Sequence, residues 1–360
     1  KSTYLSLAEI GIEQLLEGDT PHLIDEWQLA PQLWDAIRYE VDHREALGQF
    51  ILTGSAVPAD VSKIDHSGTG RFARLTMRPM SLWESGDSTG EVSLRALFDG
   101  ERPVRRVSEF NLEDIAYLIC RGGWPRAVDM DKDVSLDQAK DYVDSVAESD
   151  LSRVDGVQRN SETARRLLRS YARHQGSQAT LGTIMADITA GGNYEVSDRT
   201  ISDYIEALRK IFLIEDVEAW NPNLRSKTAI RSSDTRYFVD PSIAAGAIGI
   251  GPGDLVKDLN TMGLLFETLC VRDLRVYAES LDGNVFHYRD KNDLECDAVI
   301  HLRNGSYGLV EIKLGGDKLI QEGVSTLTKL AEKIDTDKMS APSFKMILTA
   351  VGSYAYPLSD

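Results

Sequence analysis

Two carboxylates stand side by side in His22-Leu23-Ile24-Asp25-Glu26-Trp27-Gln28, at the end of a short apolar run. Further on, Phe50-Ile51-Leu52-Thr53-Gly54-Ser55 ends a second apolar run in small hydroxyl residues. Phosphoryl transfer asks for such a set. One carboxylate holds Mg²⁺ through water, a second polarises the attacking water, and a polar neighbour senses the γ-phosphate. On that chemistry Asp25 is the metal residue, Glu26 the base, and Thr53 or Ser55 the sensor. Acids after a strand also cap the helix that follows, so the pair alone decides little. The Thr-Gly-Ser strand beside it favours the phosphoryl-transfer reading.

A second set lies near the other end. Glu267 falls among Leu264, Val271 and Leu274 at helical spacing over Met262–Glu279, an acid on an apolar stripe that is costly without a partner. Leu294–Ile300 reads as a strand, and Tyr307–Leu314 as its hairpin partner across Arg303-Asn304-Gly305. Glu311 and Lys313 share a face by period-two alternation. A two-residue Asn304-Gly305 turn would put Asp297 and Glu311 on opposite faces. A three-residue loop with Gly305 left-handed would put them on the same face. Asn-Gly suits either.

The elements that must position the first set are a strand, a helix and a strand. Gly18 and Pro21 punctuate the start of the first strand, and Pro31 precedes an expected helix Gln32–Arg44. Short connections make this a βαβ unit with parallel neighbouring strands. Ligands of such sheets sit at the carboxyl ends of the strands, which would bring Asp25 and Glu26 to one crevice with Thr53 and Ser55.

Between the two sets the pattern is helical. Helices are expected over Ser161–Gln175, Leu181–Ile188 and Ser197–Phe212, the last with Ile201, Ile205, Leu208 and Phe212 on one face and Ser197 at its N-cap. Gly191-Gly192-Asn193 makes the turn before it. Strand-like stretches Leu213–Trp220 and Thr235–Val239 follow, and the whole resembles a winged helix. Between those strands Arg225, Lys227, Arg231 and Arg236 face one acid, Asp234, a local excess of three positive charges. Two readings stand: a wing on DNA phosphates helped by Arg199 and Arg209 on the third helix, or a packing and protein-contact module.

With 40 basic and 57 acidic residues the 360-residue chain carries a net charge of −17, which argues against wholesale wrapping of nucleic acid. Hydrophobic content of 42% with 27% charge is ordinary for globular domains, and the length suits two or three of them. No apolar run approaches the ~18 residues of a membrane span. Cys120, Cys270 and Cys296 are widely spaced, as free thiols of a cytoplasmic protein would be.

The acid strand, the Phe50–Ala56 strand, Ser67-Gly68-Thr69-Gly70-Arg71-Phe72 and Arg78-Pro79-Met80-Ser81-Leu82-Trp83-Glu84 together resemble a family of bacterial and archaeal AAA-like P-loop ATPases. Members carry a C-terminal restriction-nuclease-like region of uncharacterised function. Gly122-Gly123-Trp124-Pro125 and Asp240-Pro241 fit the same pattern. The resemblance implies ATP and Mg²⁺ as cofactors, an arginine near phosphate (Arg71 first, Arg74 next) and a homo-oligomer. Glu267, Asp297, Glu311 and Lys313 resemble the nuclease signature of two acids on Mg²⁺ with a lysine steadying water. The family's Gly-rich loop ending Gly-Lys-[Ser/Thr] is not in this sequence. Lys1-Ser2-Thr3 could be its tail, the nucleotide-binding remnant, with residues missing before Lys1 or after Thr3.

The expected architecture is therefore α/β and multidomain. Residues 1–108 form a P-loop-type parallel-sheet core incomplete at its N-terminus, and 109–160 a helical connector. Residues 161–250 form the winged-helix-like module, and 251–360 a restriction-nuclease-like domain. The leading function is a Mg²⁺-dependent ATPase acting on or near DNA. A Mg²⁺-dependent nuclease with a regulatory core and a non-catalytic nucleic-acid or protein binding module are the alternatives.

Overall fold

A computed structural model describes residues 2–44, 46–58, 68–103, 106–190, 195–222 and 233–358. In chain order, helix α1 (Ser2–Ile10) precedes β1 (His22–Asp25), α2 (Leu33–Arg44) and β2 (Phe50–Thr53). Then come α3 (Leu94–Phe98), β3 (Arg106–Val107), α4 (Leu112–Arg121), α5 (Pro125–Val128) and α6 (Lys132–Ser145). The middle holds α7 (Leu151–Arg153), α8 (Ser161–Arg173), α9 (Leu181–Thr189), α10 (Asp198–Lys210), α11 (Pro241–Ile248) and α12 (Pro252–Lys257). The chain closes with α13 (Leu259–Glu279), β4 (Gly283–Arg289), β5 (Glu295–Leu302), β6 (Tyr307–Lys313), α14 (Asp317–Lys333), β7 (Phe344–Thr349) and β8 (Tyr354–Ala355). These elements form two compact units. The first gathers Lys1–Met77, Val146–Ser161 and Asp203–Leu213, and the second gathers Arg78–Ser145, Glu162–Ser202 and Ile214–Asp360.

In the first unit β1 and β2 pair in parallel, His22 opposite Phe50 and Asp25 opposite Thr53, with α2 as the crossover. Alternation along the strands sends Ile24, Phe50 and Leu52 into an apolar cluster with Ala8, Leu16, Ala30, Leu33 and Ile37. The other face leaves Leu23 and Ile51, register partners, 60% and 49% exposed.

The second unit is built on a mixed sheet in the order β4-β5-β6-β7, with β6 and β7 parallel and the rest antiparallel. Helix α14 supplies the crossover that a parallel pair needs. Strand β6 is central and nearly all buried, so its apolar residues Leu309, Val310 and Ile312 lie on both faces, and Glu311 among them is buried too. Val299, Tyr307 and Leu309 join Leu327, Leu330 and Trp220 in one core.

Helices α8, α9 and α10 occupy the expected stretches, and Ser197 Oγ accepts from Thr200 N–H at 3.1 Å as the N-cap. Phe212 departs from expectation. It is 45% exposed because α10 ends at Lys210 and Phe212 turns left-handed (φ 56°), with Leu213 N–H reaching back to Leu208 C=O. The two strands expected next are isolated antiparallel bridges, Ile214↔Phe238 and Val217↔Thr235. The reason is local: Tyr237 N–H donates to the Asp216 carboxylate, and the Glu215 carbonyl accepts from Arg275. Those two groups are thereby withdrawn from the ladder.

Candidate functional site

Parallel pairing sets Asp25 beside Thr53, and Thr53 Oγ1 donates to Asp25 Oδ1 at 2.6 Å. The strand stops at Asp25 because Glu26 takes a left-handed backbone (φ 57°, ψ 40°) while its N–H donates to Asp25 Oδ1. After that reversal Ser55 Oγ donates to Glu26 Oε2 at 3.2 Å. Gln28 Nε2 donates to the same Oε2 and, at 3.4 Å, to Ser55 Oγ. Gly54 makes room: a Cβ there would stand 2.3 Å from Gln28 Oε1. The four residues expected to act together, Asp25, Glu26, Thr53 and Ser55, are thus in one hydrogen-bonded cluster. Gln28 and Gly54 belong to it as well, though nothing in their types announces it; only nearness to the acids does.

Arg71 is placed elsewhere. Its guanidinium bonds Asp42 on α2 at 2.8 Å, and that bond holds the Asp42 carboxyl below its ordinary pKa. Arg74 lies over the Trp34 ring, which stacks on Phe72. Lys1, Ser67, Arg225, Lys227, Arg231, Gly191, Gly192, Asn193 and the side chain of Ser2 lie outside the described residues. Arg199 and Arg209 are both exposed, the latter 4.0 Å from Glu206.

The second centre resolves the hairpin question. His301 pairs with Tyr307 and Leu302 N–H bonds Ser306 C=O, leaving a three-residue loop with Gly305 at φ 89°. One step beyond Ala298↔Val310, that register sets Asp297 opposite Glu311 on one face. Lys313 bridges them, its Nζ 2.6 Å from Glu311 Oε2 and 3.2 Å from Asp297 Oδ2. Asp297 Oδ2 also accepts from Ile312 N–H at 2.7 Å. On α13, Glu267 has the partner its position demands, since the buried Tyr237 hydroxyl donates to Oε1. Gly176 leaves space for that carboxyl; a Cβ would be 2.8 Å from Oε1.

Charges are crowded here. Burial, then the Asp297 charge, pushes Glu267 well above the usual carboxylate range. Burial, again followed by Asp297, pushes Glu311 up to about 7. Burial alone would lower Lys313, but Asp297 and Glu311 more than offset it and hold the ammonium protonated. A cleft of about 220 Å³ reaches Glu267 and Asp297 past Tyr237, Gln178, His287 and Tyr288. Carboxylates are the donors a hard divalent cation prefers. As placed, no three His, Cys, Asp or Glu side chains among the described residues are grouped to hold a metal ion, and the Lys313 ammonium takes the cation's place between Asp297 and Glu311.

Comparison with known proteins places three family models along the chain. Residues 2–85 match a family described as AAA domain, residues 112–254 a domain of unknown function (DUF8612), and residues 262–355 a domain of unknown function (DUF4143). The N-terminal match makes this part similar to AAA-like ATPases. Uncharacterised proteins of Mycobacterium tuberculosis and Mycobacterium bovis are each 22% identical over 338 residues, covering 94% of this chain and 66% of theirs. The chain therefore spans just under two thirds of the length of these relatives. No solved structure matches it. No helix among the described residues is long and apolar enough to cross a membrane.

Proposed function

We propose that the protein is a Mg²⁺-dependent ATPase of the AAA-like class, and that residues 2–85 supply the metal- and water-handling side of its site. The observation that carries this reading is the cluster at the strand ends: Asp25 bonded to Thr53, and Glu26 bonded to Ser55 and Gln28. The AAA-domain match over the same residues supports it. Asp25 would hold magnesium with Thr53 fixing its carboxylate, and the metal would neutralise phosphate charge. Glu26 then takes the proton of the attacking water, and Ser55 keeps its carboxylate in line. The sequence holds no Gly-Lys-[Ser/Thr] loop, and these residues take the metal and water roles alone. The test is ATP turnover by the full-length protein with Mg²⁺. Glu26→Gln should lower kcat by about 100-fold or more, as loss of a general base does. Turnover that survives the substitution sinks the proposal.

A second reading is favoured by one observation, the three-residue hairpin that opposes Asp297 to Glu311 with Lys313 on the same face. It is a Mg²⁺-dependent nuclease centre, in which Asp297 and Glu311 would hold the ion and Lys313 would steady the attacking water. Duplex cleavage lost in Lys313→Ala and kept in Glu26→Gln would establish it. Absence of cleavage by the wild-type protein with Mg²⁺ or Mn²⁺ would remove it.

A further inference from the structure

Gln28 is held in the acid cluster by contacts that neither the strand register nor the acid pair requires. Its Nε2 donates to Glu26 Oε2 and approaches Ser55 Oγ at 3.4 Å, so the nitrogen end faces the carboxylate. Its Oε1 is buried and takes no hydrogen bond from any described residue. That oxygen lies where a Cβ of residue 54 would be, 2.3 Å away, so only glycine allows the carboxamide to cross the strand ends. A buried amide oxygen without a donor is costly, so the carboxamide is held there by the bonds its nitrogen makes.

Glu26 needs what Gln28 provides. It is a non-glycine residue at φ 57°, with its side chain on a turn rather than on a strand. A free glutamate loses rotamer entropy when fixed, so contacts must do the fixing. Ser55 gives one bond and Gln28 a second, to the same oxygen. The other carboxylate oxygen, Oε1, is left to act.

We propose that Gln28 is the positioning residue of this site. It orients the Glu26 carboxylate through Nε2, with its carboxamide lying in space that Gly54 provides. The proposal rests on the reading of Glu26 as the base of ATP hydrolysis.

The test uses the full-length protein and Mg·ATP. Gln28→Glu keeps the shape but replaces the N–H donor by a second carboxylate. It should lower kcat about tenfold or more while KM stays within about twofold, because the lost interaction orients the base rather than the nucleotide. Gly54→Ala, which displaces the carboxamide, should give the same split. Unchanged kcat in both variants, or a change confined to KM, overturns the proposal. A measurement independent of turnover accompanies it. The Gln28 side-chain amide signal of ¹⁵N-labelled protein, identified by its loss in Gln28→Ala, should shift in Glu26→Gln, and an unmoved signal overturns the proposal. Turnover indifferent to Glu26→Gln would defeat the base assignment instead. Turnover abolished by Glu26→Gln but unaltered in the Gln28 and Gly54 variants defeats the positioning role alone.

Discussion

His287 shows how much a single buried side chain can commit. It is 3% exposed, its Nδ1 lies 3.2 Å from Gln178 Nε2, and burial brings its pKa down to about 4. The unfolded chain binds that proton near pH 6.5. Between pH 6.5 and 4 the unfolded state therefore holds more protons, and stability falls as pH falls through that window. A shift of this size corresponds to about 3 kcal/mol. Glu311, raised by burial to about 7, acts in the opposite sense over much of this window, so the His287 effect is read as a difference. In urea titrations the wild type should lose about 3 kcal/mol relative to His287→Gln between pH 6.5 and 4. An unchanged slope in the variant would assign the acid loss to other groups.

The elements are tied together by residues whose sequence signal was only a pattern. Gly122-Gly123-Trp124-Pro125 follows α4, and Asp240-Pro241 opens α11. Gly123 N–H donates to Asp240 Oδ2 at 2.9 Å, Trp124 Nε1 donates to Ser242 Oγ, and Arg272 of α13 closes on the same Asp240 oxygen. Gly123 is pinned by Met80 as well, whose carbonyl would lie 2.1 Å from an added Cβ. Gly123→Ala should cost about 3 kcal/mol or more, since buried backbone must move and the Asp240 bond is lost with it. Chemical denaturation measures this, and a loss below about 1 kcal/mol would show that the turn gives way freely.

Legibility followed the range of the forces involved. The βαβ unit, the three middle helices and the acid strand could be read because alternation, helical spacing and caps are local. The hairpin loop could not, since Asn304-Gly305 serves two geometries and the choice falls to packing of Val299 and Leu309 in the core. Tyr237 as the partner of Glu267, and Gln28 over Gly54, were invisible for the same reason: a polar contact across the fold leaves no periodic trace. The Thr235–Val239 strand failed where Asp216 and Arg275 captured two backbone groups.

At the scale of the molecule the chain passes back and forth between its two units. The unit holding Asp25 and Glu26 also contains Val146–Ser161 and Asp203–Leu213. There Arg159 bonds the Leu151 carbonyl and Asp155, and Tyr204 Oη accepts from Asn160 N–H. A fragment of residues 1–108 leaves those segments out. It also keeps a two-stranded parallel sheet with Leu23 and Ile51 exposed, an arrangement that seldom stands alone. The fragment should show no cooperative thermal transition by circular dichroism, whereas the whole chain should. A sharp transition in the fragment would mean that the strand pair and α2 suffice.

The bond from Gly123 to Asp240 joins residues 117 positions apart. A ribosome adding roughly 5–20 residues per second needs roughly 6–23 seconds to deliver the second partner after the first. Throughout that interval Gly123 N–H has no Asp240 to donate to, and α4 lacks α11 and α12, which later pack against it. Synthesis itself therefore imposes a waiting period on this part of the protein, during which a chaperone would find its apolar surfaces uncovered.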